Sequence, residues 1–425
     1  MAFSLDALFH PQPLSRAFAT LTRTTGDPLR TARARRGLQV LLGIALVGGL
    51  AVLTSLLRGH KVMGTTSEVP WGVLIATYVF FVASASGLCI VSSLGHVWGF
   101  KLFEPLAKKA TFLAVVMLVV GFSVIASELE RPFRLVLYAV ISPNPTSPIW
   151  WMGALYGVYL ALLLVELYFL IVDDHHKARL AGTVSFFAAI AAQSNLGAVF
   201  GLSHGRPAWY GAFPPLQFIV LAMVSGAALL VLLVYLEDAF STADGGLKPE
   251  NVKLYDGLRQ LLALFLVISA FFMVWKVITF VNGGHRHLSE VMQASLTGPF
   301  FVSFWLFEIF LGLLLPLVLL LGNKRKSVRA VALAAALPLL GIFVMRFNFV
   351  ISGQMLSLRP LLGPSGETMV YQPPFKGSAA GLLPYTPSIV EVLIVLGAIA
   401  AAVLVYSGGQ RALKLEPAPE GGSHE

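Results

Sequence analysis

The sequence is poor in charged residues and in cysteine. Only 12% of its 425 residues are Asp, Glu, Lys or Arg, whereas soluble domains carry roughly 25%. The single cysteine, Cys89, can form neither an intrachain disulfide nor an iron–sulfur cluster, which needs several thiolates. Because 57% of the residues are hydrophobic, these shortages exclude an ordinary soluble domain and indicate an integral membrane protein.

Several signatures of cofactor and nucleotide chemistry are also missing. The sequence has no P-loop, no HExxH motif and no glycine-rich dinucleotide fingerprint. A bis-histidine haem needs inward-facing histidines at matched depth, and only His96 lies near the interior of an apolar segment. In a soluble protein the net charge of +9 would suggest a nucleic-acid partner. In a membrane protein the distribution of the basic residues indicates instead which loops are cytoplasmic. We therefore expect no intrinsic haem, no iron–sulfur cluster and no nucleic-acid partner.

Long apolar segments are abundant instead. A membrane-spanning helix needs about 20 apolar residues, and the alternating pattern of β-barrels is absent. The first segment lies too far from any small-residue cleavage site for a signal peptide, so we interpret it as a retained helix. The sequence predicts an all-α integral membrane protein, surrounded by membrane lipids, with ten transmembrane helices at 38–57, 71–98, 108–127, 150–172, 180–201, 215–236, 258–281, 299–321, 328–351 and 388–407.

Lys and Arg are unevenly distributed between the two sides that these spans define. One side collects about 20 of them, including the N-terminal tail and the "NKRKSVR" loop, and the other about 8. Since cytoplasmic loops carry the excess of Lys and Arg, we predict that both termini are cytoplasmic, in a bacterial inner membrane. The opposite loops are rich in His, Pro and aromatic residues, which fits a docking surface as well as ordinary interfacial anchors.

Two spans show a weak similarity to each other, which we call the internal echo. The second, "VPWGVLIATYVFFVASASG", and the sixth, "PPLQFIVLAMVSGAALL", both begin after or at proline and reach a small-residue patch containing Ser-Gly. An offset of four helices preserves direction, which predicts parallel repeats. The predicted units are a tail (1–37), a first flanking helix with its outer loop (38–65), two four-helix bundles (66–213 and 214–352), a long periplasmic loop (353–387) and a last flanking helix with its tail (388–425).

A charged cluster is predicted in the second bundle, where Lys276, Glu308 and Arg346 fall in the outer third of three spans. Ionisable residues inside membrane spans are functional hypotheses by default. A carboxylate between two cations is tolerated where an isolated charge would be costly. We therefore predict that Glu308 pairs with Arg346 and that Asn348 hydrogen-bonds nearby. Both a buried polar clamp between helices and a proton path fit this cluster.

A second set of polar residues gathers at the outer end of the first bundle. Carboxylates beside aromatic rings suit a quinone, whose head group needs hydrogen bonds and a proton acceptor. A helix-terminal cluster of ion pairs without any ligand fits equally well. Because Arg131 follows Glu128 by one helical turn, we expect both on one face, with Arg131 keeping the carboxylate ionised and Glu128 accepting the proton. The candidates are Glu68, Trp71, Glu128, Arg131, Tyr156 and His204.

Six stretches in chain order carry a resemblance to a known family. They are "SEVPWGVLIATYVFFVASASG", "ELERPFR", "NPTSPIWW", "GLSHGRPAWYG", "RFNFVISGQ" and "YTPSIVEVLIVLGAIA". Together they resemble the NrfD / polysulfide reductase membrane-subunit family, in its ten-helix branch of hydrogenase-2-type, sulfite-reductase-associated and alternative complex III assemblies. The resemblance implies a quinone-reactive subunit with menaquinone or ubiquinone as substrate and no redox cofactor of its own. It also implies a periplasmic ferredoxin-like iron–sulfur partner and further subunits of molybdopterin, cytochrome c or hydrogenase type.

The resemblance also places the quinone pocket at the outer side of the first bundle. Glu68 matches an acidic residue that precedes Pro-Trp-Gly in the family. Glu128 and Arg131 match the Asp and Arg of its Asp-Leu-x-Arg-Pro motif, so this chain has a longer carboxylate arm there. His204 stands beside the Arg-Pro-x-Trp segment. A motif on the family's ninth span is matched by Arg346 and Asn348.

Our interpretation is an oxidoreductase subunit that exchanges electrons between membrane quinol or quinone and the iron–sulfur partner, in either direction. Two other functions remain open at this point. A secondary transporter or proton-conducting subunit fits the intramembrane charges, although the paired Gly/Pro interruptions typical of broken transporter helices are absent near the midplane. A purely structural membrane anchor for an outer-face enzyme fits the long outer loops.

Overall fold

Long apolar helices dominate the computed structural model, which describes residues 28–66, 69–129, 131–242, 246–282, 286–322, 327–355, 361–362, 368–369, 385–413 and 415. Ten helices in this part of the chain are long and apolar enough to cross a membrane, which confirms the predicted all-α integral membrane protein. The helices are α1 Pro28–Arg58, α2 Val73–His96, α3 Ala107–Glu128, α4 Pro132–Ile141, α5 Pro148–Ile171, α6 His175–Gly201, α7 Phe213–Ser241, α8 Val252–Asn282, α9 Arg286–Leu296, α10 Ser303–Gly322, α11 Val328–Ser352 and α12 Ile389–Ala412.

Local sequence signals set several helix ends. Helix α5 begins at Pro148, a residue that fits the first helical turn because no hydrogen-bonded N–H is needed there. Its cap is Ser147, whose side chain accepts from the Trp150 amide. Asp174 caps α6 by accepting from the Lys177 amide. Besides the helices there are short 3₁₀ turns and a two-residue antiparallel pair, β1 Leu361–Leu362 with β2 Thr368–Met369.

Helix α2 forms the centre of the molecule. In its most apolar window 89% of the residues are buried, against 17% for the first span. It packs on α3, α6, α7 and α11. The crossing of α2 with α7 is made by Gly87 and Gly226, since a Cβ on Gly226 would lie 2.6 Å from the Leu88 amide nitrogen. The two Ser-Gly patches of the internal echo therefore meet each other.

We name two groups of four helices after the predicted bundles, and a peripheral pair; α2 of the first group also packs extensively on α7 of the second. The first group is α2, α3, α5 and α6, and the second is α7, α8, α10 and α11. The outermost helices, α1 and α12, pack on each other and against α3. We call the side on which α2, α5, α7, α10 and α12 begin the loop-rich face, and the opposite side the basic face. The parallel-repeat relation between the groups stays a prediction.

Helix α10 departs from regular α-helical geometry. It is π-helical over Ser303–Leu314 and α-helical over Leu315–Gly322, and π-helical turns occur frequently at functional sites. Its backbone touches α11 at a glycine contact, where a Cβ on Gly312 would lie 3.0 Å from the Cα of Gly341. This close approach places Glu308 of α10 opposite Asn348 of α11.

Candidate functional site

An aromatic cluster lies between the helices at the loop-rich face. The ring of Trp71 stacks on Trp209 at 5.1 Å between centroids and 14° between planes. Phe200 meets Trp71 edge-on at 5.3 Å, and Phe218 lies 5.7 Å from Phe200. The Trp209 indole is fixed because its Nε1 donates to the Phe349 carbonyl oxygen at 2.8 Å. The cluster joins the start of α2 to α6, α7 and α11.

Gln354 holds Trp71 by its backbone. The Trp71 amide donates to Gln354 Oε1 at 3.0 Å, and Gln354 Nε2 donates back to the Trp71 carbonyl oxygen at 2.9 Å. Gln354 is only 1% exposed and follows the end of α11. The sequence analysis did not select this residue, although it ends the quoted stretch "RFNFVISGQ".

A buried carboxylate, Glu391, ties the start of the last span to the first group. It accepts from the Gly64 amide at 2.8 Å, the Ser388 amide at 2.7 Å and the Tyr385 hydroxyl at 2.8 Å. The Val73 amide in turn donates to the Tyr385 hydroxyl oxygen at 2.7 Å. Burial raises the pKa of the Tyr385 phenol well above its ordinary value, and the nearby carboxylates act in the same direction. Glu391 thus organises the entry to α2.

Glu128 ends α3 beside this network. It is 5% exposed, and neither carboxylate oxygen has a hydrogen-bond partner among the described residues. Glu391 and Tyr385 lie within electrostatic reach of it. A buried carboxylate without a partner is costly, so this group is free to receive a hydrogen bond or a proton from a bound molecule.

Two of the other predicted pocket residues, Arg131 and His204, differ from expectation. Helix α3 ends at Glu128 and Leu129 is extended, so Arg131 leaves that helical face, is exposed, and forms no ion pair with Glu128 within the described chain. The predicted orienting role of Arg131 is therefore wrong. His204 lies exposed in a turn, with its ring 4.6 Å from that of Tyr210. Glu68 lies outside the described residues.

Tyr156 lies deeper in the first group than Glu128. It is fully buried, and its hydroxyl donates to Gln193 Oε1 at 2.9 Å, while Gln193 Nε2 donates to the Phe218 carbonyl oxygen at 2.9 Å. The side chain of Phe218 is also contacted by Arg346 of α11, whose Cζ lies 3.7 Å from the centroid of the Phe218 ring. The first-group and second-group helices thus share one buried polar region beneath the aromatic cluster.

The predicted Arg346–Glu308 pair is not formed. All three guanidinium nitrogens of Arg346 lack a hydrogen-bond partner in the described part of the chain, although the residue is 0% exposed. Glu308 instead accepts from Asn348 Nδ2 at 2.5 Å, with Lys276 within electrostatic reach. The reason is geometric: residues 346 and 348 of one helix point in different directions, and the glycine contact aims Asn348 at Glu308.

A small cavity adjoins Glu308 in the second group. Its volume is about 30 Å³, enough for about two water molecules. Helices α7, α8, α10 and α11 line it, mainly with apolar side chains such as Met345 and Phe272. Gln217, Ser269 and Glu308 supply its polar groups. This cavity is too small for an aromatic head group and suits water.

Two buried glutamates that were not among the predicted site residues lie within apolar segments of the sequence. Glu166 and Glu391 both lie within predicted spans, at 150–172 and 388–407, and both are 0% exposed. Charged residues inside spans are functional candidates by default. A complete survey of such residues would have found both. Their partners, in contrast, come from distant segments that only the packing brings together.

Comparison with known proteins gives one family and several relatives. The family model described as "Polysulphide reductase, NrfD" matches residues 61–357. The "Hdr-like menaquinol oxidoreductase integral membrane subunit" of Archaeoglobus fulgidus is 27% identical over 383 residues, which cover 88% of this chain and 93% of that protein. A selenate reductase subunit of Mesobacillus selenatarsenatis is 25% identical over 407 residues, covering 87% of this chain and 91% of that protein.

Proposed function

Since this chain belongs to the polysulphide reductase NrfD family, we propose that it is the quinone-reactive membrane subunit of a multi-subunit oxidoreductase complex. The names of its relatives, a menaquinol oxidoreductase membrane subunit and a selenate reductase subunit, support a role of this kind. Menaquinol is the substrate we favour, because one relative is named for it.

One observation carries the proposal: two unpartnered polar groups border the aromatic cluster. Glu128 lies within electrostatic reach of Tyr385, which accepts from the Val73 amide at the start of α2 near Trp71, and Arg346 lies over Phe218 at the other end of the cluster. Glu128 and Arg346 are both at least nine-tenths buried. A quinone head group presents an oxygen at each end of a flat ring, so a donor, an acceptor and aromatic walls are the groups that would bind it.

In this proposal each buried group has a defined task. Arg346 donates hydrogen bonds to one oxygen of the head group, and the Trp71 and Phe200 rings pack against its faces. Glu128 accepts the proton of the other oxygen when quinol is oxidised, as a general base. Tyr385 and Glu391 hold the backbone at Gly64 and Val73 in place beside it.

The electrons leave toward the loop-rich face. We assign this face to the periplasm, because Lys and Arg accumulate on the basic face. A periplasmic ferredoxin-like iron–sulfur subunit docks there in our proposal, and passes electrons to a catalytic subunit of molybdopterin, cytochrome c or hydrogenase type. The reduction potential of the catalytic subunit decides whether quinol donates electrons to the complex or quinone accepts electrons from it.

The test is the Glu128→Gln variant of the purified complex. Glutamine preserves size and hydrogen bonding but accepts no proton, so menadiol-linked turnover should fall roughly 100-fold. Turnover with an artificial dye that reacts directly with the partner subunits should persist, because the complex remains assembled. Glu308→Gln is the matched control, since it changes a buried glutamate of the second group in the same way.

Equal menadiol turnover in wild type and Glu128→Gln would contradict the assignment of the proton acceptor. A wild-type complex that oxidises no quinol while dye turnover continues would instead favour a purely structural anchor.

A further inference from the structure

A second buried glutamate lies at the opposite end of the first group from the proposed quinone site. Glu166 of α5 is 0% exposed, and its Oε1 lies 3.1 Å from His96 Nε2 of α2. Thr111 Oγ1 of α3 donates to the same oxygen at 3.0 Å. The other oxygen, Oε2, has no hydrogen-bond partner among the residues described. Three helices thus converge on a carboxylate near the basic face.

The His96 side chain connects this carboxylate with the basic face. The ring is 7% exposed at the end of α2, and its Nδ1 lies 3.2 Å from the Ser92 carbonyl oxygen. Helix α6 accommodates the ring because residue 182 is glycine, where a Cβ would lie 2.5 Å from Nε2. The small exposed part of the ring makes His96 the point at which this polar group reaches the basic face.

The ammonium groups of α3 at this end, those of Lys108 and Lys109, pair with Asp173 and Glu237 rather than with Glu166. Cys89 of α2 and Tyr159 of α5 lie within electrostatic reach of the carboxylate. Arg179 of α6 is turned to the His96 carbonyl oxygen, to which its Nε donates at 3.3 Å. In the described chain, therefore, no Lys or Arg forms an ion pair with Glu166, and His96 is its charged partner when protonated.

A stripe of buried polar side chains, interrupted on α5 by Leu163, runs from Glu166 toward the quinone site. Tyr159 lies two helical turns away on the same face of α5, and Cys89 lies two turns from His96 on α2. The Tyr159 hydroxyl donates to the Ala85 carbonyl oxygen at 3.0 Å. Tyr156 follows one turn further, 6.3 Å from Tyr159 between ring centroids, and ends the stripe at Gln193. Every side chain along this stripe is buried.

We propose that His96 and Glu166 form the basic-face end of a proton route that serves the proposed quinone site; the inference rests on that proposed function. Oxidation of one quinol releases two protons and two electrons. The electrons go to the one-electron acceptors of the partner subunit. One proton goes to Glu128, and the other passes along Tyr156, Tyr159, Glu166 and His96 to the basic face. Quinone reduction takes the same steps in reverse.

The test uses the native complex in vesicles whose basic face points outward, selected through a tag fused after α12. Menadiol is the electron donor, ferricyanide trapped in the lumen is the acceptor, and the direct reaction of the two in vesicles without the complex is subtracted from every rate. An external dye reports acidification at the basic face. Wild type should acidify the medium as ferricyanide is reduced, and Glu166→Gln should lower that rate about tenfold or more.

The matched control is Asp238→Asn, which changes a buried carboxylate at the same face. Asp238 is bonded to the Lys248 amide and to Asn251 and lies off the stripe, so acidification should stay at the wild-type rate. Tyr159→Phe, which removes only a hydroxyl, should lower acidification too and serves where Glu166→Gln fails to assemble. Acidification at the wild-type rate in assembled Glu166→Gln or Tyr159→Phe would overturn the route.

Failure of the route is distinguishable from failure of the proposed function. If wild type reduces ferricyanide with menadiol but releases all protons into the lumen, the quinone site stands and the route is wrong. If wild type reduces no ferricyanide with menadiol while a dye still supports turnover, the quinone site itself is wrong.

Discussion

Glu128 and Glu308 are both buried glutamates near the loop-rich face, but their surroundings differ. Glu308 has a partner on the neighbouring helix, Asn348, and a small cavity suited to water. Glu128 has no hydrogen-bond partner in the described chain and lies beside a second carboxylate, Glu391. Buried polar groups in folded proteins are almost always satisfied. The difference indicates that Glu308 finds a protein partner for one of its oxygens, whereas Glu128 leaves a place for a bound molecule.

Removing Glu391 should have the largest effect on stability. Glu391→Ala leaves two backbone amides and the Tyr385 hydroxyl without their acceptor, at about 1–3 kcal/mol for each buried group. We expect a loss of about 3 kcal/mol or more, seen as a lower unfolding temperature of the detergent-purified protein. Glu391→Gln keeps one acceptor oxygen and should be milder. Equal unfolding temperatures for Glu391→Ala and wild type would show that these contacts do not hold the site.

Replacing Arg346 should separate stability from function. Its guanidinium is buried without a carboxylate partner, so Arg346→Met removes an unpaired charge and should leave the unfolding temperature unchanged or higher. Menadiol turnover should fall about tenfold or more, because a hydrogen bond to a charged group is worth about 1.5–3 kcal/mol. A lower unfolding temperature with turnover retained would instead make Arg346 a structural residue.

Changing Glu308 should have the smallest effect. Glu308→Gln keeps an oxygen for Asn348, so we expect a stability change of about 1 kcal/mol or less. Menadiol turnover should stay near the wild-type value. Should proton movement across vesicles be lost while turnover persists, the second group would be a proton path and the contrast with Glu128 would need revision.

Apolar segment length was sufficient to predict the ten spans. The segment at 71–98 became α2 Val73–His96, and that at 150–172 became α5 Pro148–Ile171, because a run of about 20 apolar residues has few alternatives in a membrane. The two Ser-Gly patches of the internal echo meet at Gly87 and Gly226, a contact that the echo did not predict.

Side-chain pairing was less predictable. Equal depth suggested that Glu308 pairs with Arg346, but depth does not specify the direction of a side chain around its helix. Helix spacing suggested that Arg131 orients Glu128, but α3 ends at Glu128. The partners of Glu391 lie as much as 327 residues away in sequence, so no local pattern could have named them. Their assignment required the packing of α12 beside α1 and α3.

If the two groups are the predicted parallel repeats, the glycine crossing of α2 and α7 is, in the vocabulary of oligomers, an isologous contact within one chain. Under the predicted parallel repeat, Gly87 and Gly226 are equivalent residues, and equivalent residues touch only where the two-fold axis passes. Such a contact is self-complementary, as in the interface of a symmetric dimer. The crossing is therefore the seam at which the two groups of helices would separate if they were encoded as two chains.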